Sequence, residues 1–363
     1  MKYVFILGRN PELSIAEIFS YFKKQAKKII SSKIIKNSVL IEFEDKIEKG
    51  VVDNLGGTLA IGEVLCEIEL KELNKQEIYS GTKNNINYVV WNFSDEEHEK
   101  SASEYLKKRF KEERLKASEK NLTGSLELQE GKTIRISSGL IDEDYFVFDR
   151  FFGKIIEKCD YKTLEARDMK KPERRHELSI SPRLAKTMIN LSQTKKGETI
   201  LDPFCGIGTI LIEALNQGIN AVGIDKDETA VSGAKKNLEW FKFSKNNYKI
   251  LLGDSGNIKP EKVNAIVTEP NLGQILKKMP SKEEAEKILE KYECLMIRIL
   301  NHLKNSVSRK IVFTSPLIDQ KSKRVSCNIK KILEKTRLKL IKGPIPEYRK
   351  GQIVGRNIFV LER

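Results

Sequence analysis

Strand-like and helix-like hydrophobic patterns alternate from residue 181 to residue 363. Short apolar runs predict strands at residues 198–204, 221–224, 249–252, 265–268 and 310–314, and a closing hairpin at 338–341 and 357–361. Helical spacing of apolar positions predicts helices at residues 209–216, 228–241 and 325–335. Ser181 and Pro182 mark the start of a further helix, and Ser281 with Glu284 forms a capping box before a long one. This alternation favours a mostly parallel sheet with crossover helices, so we expect an α/β, Rossmann-like domain.

The first 158 residues have the irregular order of elements that is typical of an α+β protein. Strands are predicted at residues 2–7, 38–44, 59–68, 88–93 and 144–152. Ser14 and Glu17 form a second capping box, and a long charged helix is predicted at residues 96–117. Residues 156–180 are polar and lack periodicity, which indicates a linker. We therefore expect segments 1–70 and 71–158, a linker at 159–180 and an α/β domain at 181–363.

The formal net charge of +15 is concentrated in the second half of the chain. Residues 1–179 hold 32 basic and 32 acidic residues, whereas residues 300–363 hold 16 basic and 4 acidic ones. Such a concentration beside a predicted catalytic domain favours a polyanionic substrate. The candidate phosphate contacts lie in a basic tract at residues 309–356: Arg309, Lys321, Lys323, Arg324, Lys330, Lys331, Arg349, Lys350 and Arg356. In the neutral N-terminal half, a local patch is expected on the long helix: Lys107, Lys108, Arg109 and Arg114.

The five cysteines are scattered, lack a Cys-x-x-Cys pair and are accompanied by three histidines. Neither a disulfide framework nor a metal site is therefore expected, and reduced thiols indicate a cytoplasmic protein. No apolar run approaches the roughly 18 residues of a membrane span. The N-terminus enters a strand-like pattern directly, so we expect neither a signal peptide nor a membrane partner.

A glycine-rich segment at residues 202–209 follows the first predicted strand of the α/β domain. A dinucleotide-binding turn would carry a third glycine where this chain has Leu211. Asp202 is suited instead to attracting a positively charged cofactor group, and Gly206 and Gly208 allow the backbone to approach a ligand closely.

Two further acidic residues follow the next two predicted strands. Asp225, 23 positions after Asp202, is suited to accepting hydrogen bonds from ribose hydroxyls. Asp254 is suited to accepting a bond from an adenine amine, with Ser255 beside it. Acids at the carboxyl ends of parallel strands converge on one crevice, so we predict an S-adenosyl-L-methionine site. The candidate cofactor-binding residues are Asp202, Phe204, Cys205, Gly206, Gly208, Thr209, Asp225, Lys226, Asp254 and Ser255.

A polar segment, Thr268-Glu269-Pro270-Asn271-Leu272-Gly273, follows the fourth predicted strand of this domain. Other characteristic stretches are Phe5-Ile6-Leu7-Gly8, Asn10-Pro11-Glu12-Leu13-Ser14, Leu55-Gly56-Gly57-Thr58, Arg167-Asp168 to Pro172, Ser181-Pro182-Arg183-Leu184-Ala185 and Asn237-Leu238-Glu239-Trp240. With the 202–209 loop, these stretches resemble the THUMP-containing tRNA guanine-N2 methyltransferases, the guanosine-10 type. The resemblance spans essentially the whole chain. It implies a class I methyltransferase domain with a seven-stranded sheet, preceded by a ferredoxin-like piece and a THUMP module that grips tRNA.

The catalytic segment departs from the family pattern of Asp-Pro-Pro-Tyr. In that family, a side-chain oxygen and a proline carbonyl accept both N–H bonds of an exocyclic amine, which localises the nitrogen lone pair, and the aromatic ring stacks on a flipped base. The candidate catalytic residues here are Glu269, Pro270 and Asn271. Leu272 offers no aromatic face, which weakens base positioning by roughly 1–3 kcal/mol without abolishing the reaction.

The sequence therefore predicts an S-adenosyl-L-methionine-dependent enzyme that methylates an exocyclic base amine, with guanine N2 in tRNA as the leading acceptor. Methylation of another amine in RNA or DNA, such as adenine N6, stays open. A catalytically inactive RNA-binding homologue also stays open, because Glu269 replaces the aspartate of the family. Cytosine C5 methylation is excluded, since the catalytic segment has no cysteine nucleophile.

Overall fold

The computed structural model describes residues 1–67, 78–79, 81–122, 124–129, 131–136, 140–175, 180–271, 276, 278–321 and 323–363. These residues form two compact units. The first contains Met1–Ile15, Ala26–Asp53 and Gly57–Cys159, and the second contains Ala16–Gln25, Asn54–Gly56 and Asp160–Arg363.

The first unit is built on one mixed sheet. Its elements are β1 (Lys2–Leu7), β2 (Ile29–Ile35), β3 (Ser38–Phe43), β4 (Thr58–Glu67), β5 (Asn85–Phe93), α2 (Glu96–Glu112), β6 (Lys116–Glu119), β7 (Gly124–Glu127), β8 (Thr133–Ile136), β9 (Glu143–Phe148) and β10 (Phe151–Lys158). Eight of the strands form a sheet in the order β2-β3-β1-β4-β10-β9-β5-β6, and β7 pairs with β8. Helix α1 (Pro11–Lys24) begins in this unit and ends in the second.

Three predicted elements of the N-terminal half differ from the structure, and one strand was not predicted. Helix α1 begins at Pro11, because the Asn10 side chain accepts the Leu13 N–H (3.1 Å), so the predicted Ser14–Glu17 capping box is wrong. Helix α2 ends at Glu112 rather than 117, since the chain turns and β6 pairs in parallel with β5. The predicted strand at 144–152 is the hairpin of β9 and β10. Strand β2 was not predicted, because it is an exposed edge strand in which Ser31, Ser32 and Lys33 interrupt the apolar pattern.

The second unit has the predicted Rossmann-like architecture. Its elements are α3 (Tyr161–Lys170), α4 (Pro182–Ser192), β11 (Thr199–Asp202), α5 (Thr209–Asn216), β12 (Asn220–Asp225), α6 (Glu228–Trp240), β13 (Tyr248–Leu252), β14 (Ala265–Thr268), α7 (Lys282–Leu303), β15 (Lys310–Asp319), β16 (Arg324–Ser326), α8 (Ile329–Thr336), β17 (Lys339–Glu347) and β18 (Val354–Glu362). Seven strands form a sheet in the order β13-β12-β11-β14-β15-β18-β17.

Strands β11 to β15 are parallel and β18 is antiparallel to β15, so the prediction of a mostly parallel seven-stranded sheet is confirmed. The buried positions of β11, β14 and β15 pack against α7 and α8 through Leu201, Ile266, Ile311, Met296 and Ile332. Parallel pairing brings the carboxyl ends of β11, β12, β13 and β14 to one edge of this sheet.

Two predictions in the second half are wrong. Residues 161–170 of the expected linker form α3, which Asp160 caps through the Thr163 N–H (3.0 Å). The predicted helix at 325–335 begins only at Ile329, because residues 324–326 pair with β15 as the short strand β16. Asn328 caps this shorter helix by accepting the Lys331 N–H.

Candidate active site

Asp202 lies at the end of β11 with a side chain that is almost completely buried. Its Oδ1 accepts hydrogen bonds from the Phe204 N–H (3.1 Å) and the Thr268 hydroxyl (2.6 Å). Its Oδ2 has no donor among the described residues. Burial, helped by the nearby charges of Asp225 and Glu269, raises the pKa of Asp202 to about 7. A buried carboxyl with one open oxygen is suited to a cationic ligand group.

Two glycines give the loop after β11 its shape. Gly206 (φ +51°) and Gly208 (φ +86°) both adopt left-handed conformations that disfavour a side chain. A Cβ on Gly206 would meet no atom within 4 Å, so the backbone there faces open space. A Cβ on Gly208 would lie 3.3 Å from the Ala234 side chain, so this glycine also permits packing against α6.

Asp225 ends β12 and holds the glycine loop in place. Its Oδ2 accepts the Gly206 N–H (2.8 Å) and its Oδ1 accepts the Asp227 N–H (2.9 Å). Because each carboxylate oxygen can accept more than one hydrogen bond, these contacts leave capacity for ligand hydroxyls. Lys226 follows with an exposed side chain.

Asp254 and Ser255 follow β13, but their side chains are engaged in other contacts. Asp254 forms a two-point ion pair with Arg298 (3.0 and 3.1 Å) and also accepts the Gly256 N–H. The hydrogen bond from Arg298 lowers the pKa of Asp254. Ser255 is buried and donates its hydroxyl hydrogen to the Pro203 carbonyl. The role predicted for Asp254 at an adenine amine stays a prediction.

One cavity joins the cofactor loop to the catalytic segment. Asp202, Phe204, Cys205, Gly206 and Thr209 line it together with Arg175, Ile180, Ile210 and Glu269. Asp225 supports this wall through Gly206, whereas the described lining does not include Asp254. An open buried carboxylate oxygen, a glycine cradle and a second acid beside it fit a cationic ligand that carries a ribose.

Glu269 follows β14 and is largely buried against Arg356 of β18. The Arg356 Nε donates a hydrogen bond to Glu269 Oε1 within an ion pair. Burial raises the pKa of Glu269, and the charge of Arg356 opposes that rise. Pro270 is buried and Asn271 is exposed. Leu272 and Gly273 lie outside the described residues.

Three residues of this site were missed or misread in the sequence. Thr268, named only as part of the motif, donates to Asp202. Arg175 lies in the predicted linker, yet it lines the cavity and binds Asp227 (2.9 Å). Arg356 was assigned to phosphate binding, but it pairs with Glu269. The sequence could have indicated a role only for Thr268, because it is the last residue of a buried strand. Arg175 and Arg356 are far along the chain from their partners Asp227 and Glu269, so no local pattern points to them.

Several other predicted phosphate contacts are paired with acids. Arg324 binds Asp319 (3.1 Å) and lies 4.1 Å over the Tyr348 ring, and Lys331 binds Glu293 (2.7 Å). The exposed members of the tract are Lys321, Lys323, Lys330, Arg349 and Lys350. In the first unit, Lys107 pairs with Glu119 (3.1 Å) and Arg109 with Glu113 (2.9 Å), while Lys108 and Arg114 are exposed.

The described part of the chain contains no cluster of three or more His, Cys, Asp or Glu side chains that could hold a metal ion. Within the same residues, no helix combines the length and the apolar character that crossing a membrane requires. All five cysteines are free thiols.

Comparison with known proteins identifies methyltransferases. A family described as "RMKL-like, methyltransferase domain" matches residues 170–315, and a family described as "DNA methylase" matches residues 16–236. A tRNA (guanine(10)-N2)-dimethyltransferase of Methanothermobacter thermautotrophicus is 40% identical over 115 residues, which cover 31% of this chain and 33% of that protein. The enzyme of the same name from Methanocaldococcus jannaschii is 40% identical over 122 residues, covering 32% and 34%. The chain therefore spans about a third of the length of these curated relatives.

Among solved structures, TrmN from Thermus thermophilus matches over 100% of both chains with a TM-score of 0.56 and 14% sequence identity. At this identity the likeness concerns the fold alone. It agrees with the Rossmann-like sheet of the second unit, which carries the candidate site.

Proposed function

The chain belongs to the DNA methylase family of methyltransferases, and from that premise we propose that it transfers a methyl group from S-adenosyl-L-methionine to the N2 amine of a guanine in tRNA. The observation that carries this proposal is the single cavity that contains both the Asp202 loop and Glu269. Relatives at 40% identity that carry the name tRNA (guanine(10)-N2)-dimethyltransferase support both the acceptor atom and the RNA class.

The residues of the cavity would hold the cofactor by charge and by shape. Asp202, through its open Oδ2, would attract the cationic methionine end, and Asp225 would accept from the ribose hydroxyls. Gly206 and Gly208 would allow the backbone to approach the ligand. When bound, S-adenosyl-L-methionine supplies an electrophilic methyl group.

The catalytic segment would prepare the acceptor amine. A base amine is a weak nucleophile, because its lone pair is delocalised into the ring. Glu269 and the Pro270 carbonyl would accept its two N–H bonds and so localise the lone pair. As the nitrogen gains the methyl group it must lose one proton, and the Glu269 carboxylate would accept that proton. No covalent bond between enzyme and base is needed.

We propose that positively charged side chains in both units bind the phosphates of the substrate. The exposed lysines and arginines of the basic tract would contact phosphates beside the site, and segments 1–70 and 71–158 would act as the ferredoxin-like and THUMP pieces. A tRNA substrate and five free thiols together support a cytoplasmic location.

A base amine in DNA is the second candidate acceptor. It is favoured by the description of the matched family as DNA methylase. A DNA substrate would use the same cavity and the same Glu269, so the acceptor can be distinguished only by measuring the product.

The test is mass spectrometry of nucleosides from unmodified tRNA transcripts incubated with the protein and S-adenosyl-L-methionine. We expect N2-methylated guanosine, and we expect Glu269→Ala to lower the rate by about 10²–10⁴-fold because the amine loses its acceptor. Glu261→Ala is the matched control, since the Glu261 side chain is 92% exposed.

Each contrary outcome has a defined meaning. Methylated adenine, or a preference for duplex DNA over tRNA, would replace the acceptor that we propose. Binding of tRNA without methyl transfer would instead identify an inactive RNA-binding homologue.

A further inference from the structure

The ion pair of Glu269 and Arg356 joins two non-adjacent strands of the sheet. Glu269 follows β14 and Arg356 lies on β18, with β15 between them. In this register Arg356 stands opposite Pro316 of β15 and Glu347 of β17. The Glu269 side chain is 10% exposed and that of Arg356 is 22% exposed. The pair therefore lies in a largely desolvated position at the wall of the cavity.

Other ionisable groups surround Glu269 from several elements. Asp202, on β11, lines the same cavity, and the charge of Glu269 raises the pKa of Asp202. Tyr292, on α7, is also close enough for Glu269 to raise its pKa, and its hydroxyl donates to the Thr314 carbonyl. Arg175 lines the cavity but is bound to Asp227 and Thr229.

The buried carboxyl of Asp202 and the largely buried carboxyl of Glu269 thus share one cavity. Like charges so placed favour protonation of one of the two groups. Among the described residues, Arg356 is the cation in direct contact with either carboxyl. Its hydrogen bond occupies Glu269 Oε1, while Oε2 has no donor among the described residues.

We propose that Arg356 is a positioning residue for methyl transfer, which keeps Glu269 ionised beside Asp202 and turns Oε2 toward the acceptor amine. This inference rests on the proposed function, because it assigns Glu269 the task of accepting from the amine. A protonated Glu269 would present a donor to the amine nitrogen and would have no capacity for the departing proton. Arg356 itself acts through Glu269 and does not need to touch the base.

The direct test measures the ionisation of Glu269 without any activity assay. Carboxyl-¹³C glutamate is incorporated into the full chain, and the Glu269 resonance is assigned by its absence in Glu269→Gln. We expect Arg356→Gln to raise the pKa of Glu269 by about 1–3 units, because an opposite charge in contact lowers a carboxyl pKa by that amount. Arg356→Lys retains the charge and should keep the pKa within about 0.5 units of the wild type.

The activity test separates positioning from substrate binding. Arg356→Gln should lower kcat at pH 7 by at least about tenfold, leave KM for tRNA within about threefold, and move the acid limb of the pH–rate profile upward by the same 1–3 units. Raising the pH should then restore much of kcat. Lys235→Gln, an exposed residue of α6 outside the basic tract, is the control for loss of a positive charge.

Three outcomes would overturn the inference. They are an unchanged Glu269 titration in Arg356→Gln, a raised KM with an unchanged pH profile, and an Arg356→Lys variant that titrates like Arg356→Gln. A circular dichroism melt within about 3 °C of the wild type shows that a variant is folded, and Arg356→Met, which also removes the charge, serves as the test if Arg356→Gln unfolds. A shifted Glu269 pKa in a protein that methylates no tRNA would reject the proposed function while retaining the ion-pair effect.

Discussion

At the residue scale, the site is organised by acids whose different surroundings give them different properties. Asp202 is buried and Glu269 is largely buried, and this desolvation raises the pKa of each. Asp254 is bound to Arg298, which lowers its pKa. Asp225 accepts hydrogen bonds from the backbone N–H of Gly206 in the glycine loop and from that of Asp227 at the start of α6. Four acids at the ends of neighbouring strands therefore differ in burial, in bonding partners and in the direction of their pKa shifts.

The pKa of Asp202, at about 7, predicts that cofactor affinity depends on pH. A cationic ligand favours the carboxylate, so affinity should rise as the pH increases through 7 and level off above it, with at most about a tenfold change per unit below. Isothermal titration calorimetry between pH 5.5 and 8.5 measures this. Asp202→Asn should bind more weakly and without the pH dependence, whereas a pH dependence that persists in this variant would assign it to another group.

The raised pKa of Asp202 also makes the free energy of unfolding depend on pH. Because the native carboxyl binds its proton more tightly than the unfolded one, the stability contributed by Asp202 falls as the pH rises from about 4 to about 7. Cofactor binding should offset this loss. Denaturant melts with and without cofactor at pH 5 and pH 8 can separate the two effects.

At the element scale, glycines set the backbone conformation of the loop that lines the cavity, and capping residues set where helices begin. Gly206 lines the cavity in a left-handed conformation, while Gly197 adopts a similar one (φ +81°) in the turn before β11. A Cβ at either position would meet no atom within 4 Å. These two glycines therefore form a matched pair: both have left-handed backbones, but only Gly206 lines the cavity.

We expect Gly206→Ala and Gly197→Ala each to destabilise the protein by about 1–2 kcal/mol, the strain of a left-handed alanine. Only Gly206→Ala should also weaken cofactor binding, by about tenfold or more, because its new methyl group enters the cavity. Chemical denaturation and calorimetry measure the two effects. Equal cofactor affinities in the two variants would place the ligand elsewhere.

The capping box of α7 offers a second prediction for an element. Ser281 accepts the Glu284 N–H, and the Glu284 side chain accepts the Ser281 N–H. Ser281→Ala should lower the free energy of unfolding by about 1 kcal/mol, whereas Ser281→Thr should retain most of it. Equal urea midpoints for the two variants would show that this cap contributes little.

At the scale of the whole molecule, the excess positive charge belongs to residues 180–363, the part that carries the candidate site. Part of it is neutralised locally, since Arg324, Lys331 and Arg356 pair with acids. Arg349 and Lys350 remain exposed. The tRNA binding that we propose therefore depends on fewer lysines and arginines than the composition implies.

The double variant Arg349→Gln/Lys350→Gln should weaken tRNA binding and reduce the slope of log Kd against log salt by up to about 1.8, if both side chains contact phosphates of paired RNA. Filter binding from 50 to 300 mM KCl measures this slope. Lys235→Gln/Lys259→Gln, an equal charge change at exposed residues outside the tract, should leave the slope nearly unchanged. Equal slopes in the two double variants would remove Arg349 and Lys350 from the interface.

Periodicity and local motifs predicted the second unit well. The order of its strands and the start of α4, α5, α6 and α7 follow from apolar spacing and from Ser181 and Ser281. Relatives at 40% identity bear out the resemblance to tRNA guanine-N2 methyltransferases over 31% and 32% of this chain. Two of the errors lie at β6 and β16, where pairing with another strand overrode a helical pattern. Local propensity is a weak constraint when a partner strand supplies hydrogen bonds.

The sequence by itself determined the loop from Asp202 to Thr209 and the position of Glu269 after β14, because each depends on residues that are neighbours in the chain. Only the tertiary structure decided which arginines pair with Glu269 and Asp254 and so shift the pKa of each. Arg356 is 87 positions from Glu269, and Arg298 is 44 from Asp254. No local pattern encodes such a pair, since the strands and helices between them set the distance. The charge state of this site is therefore a property of the folded sheet.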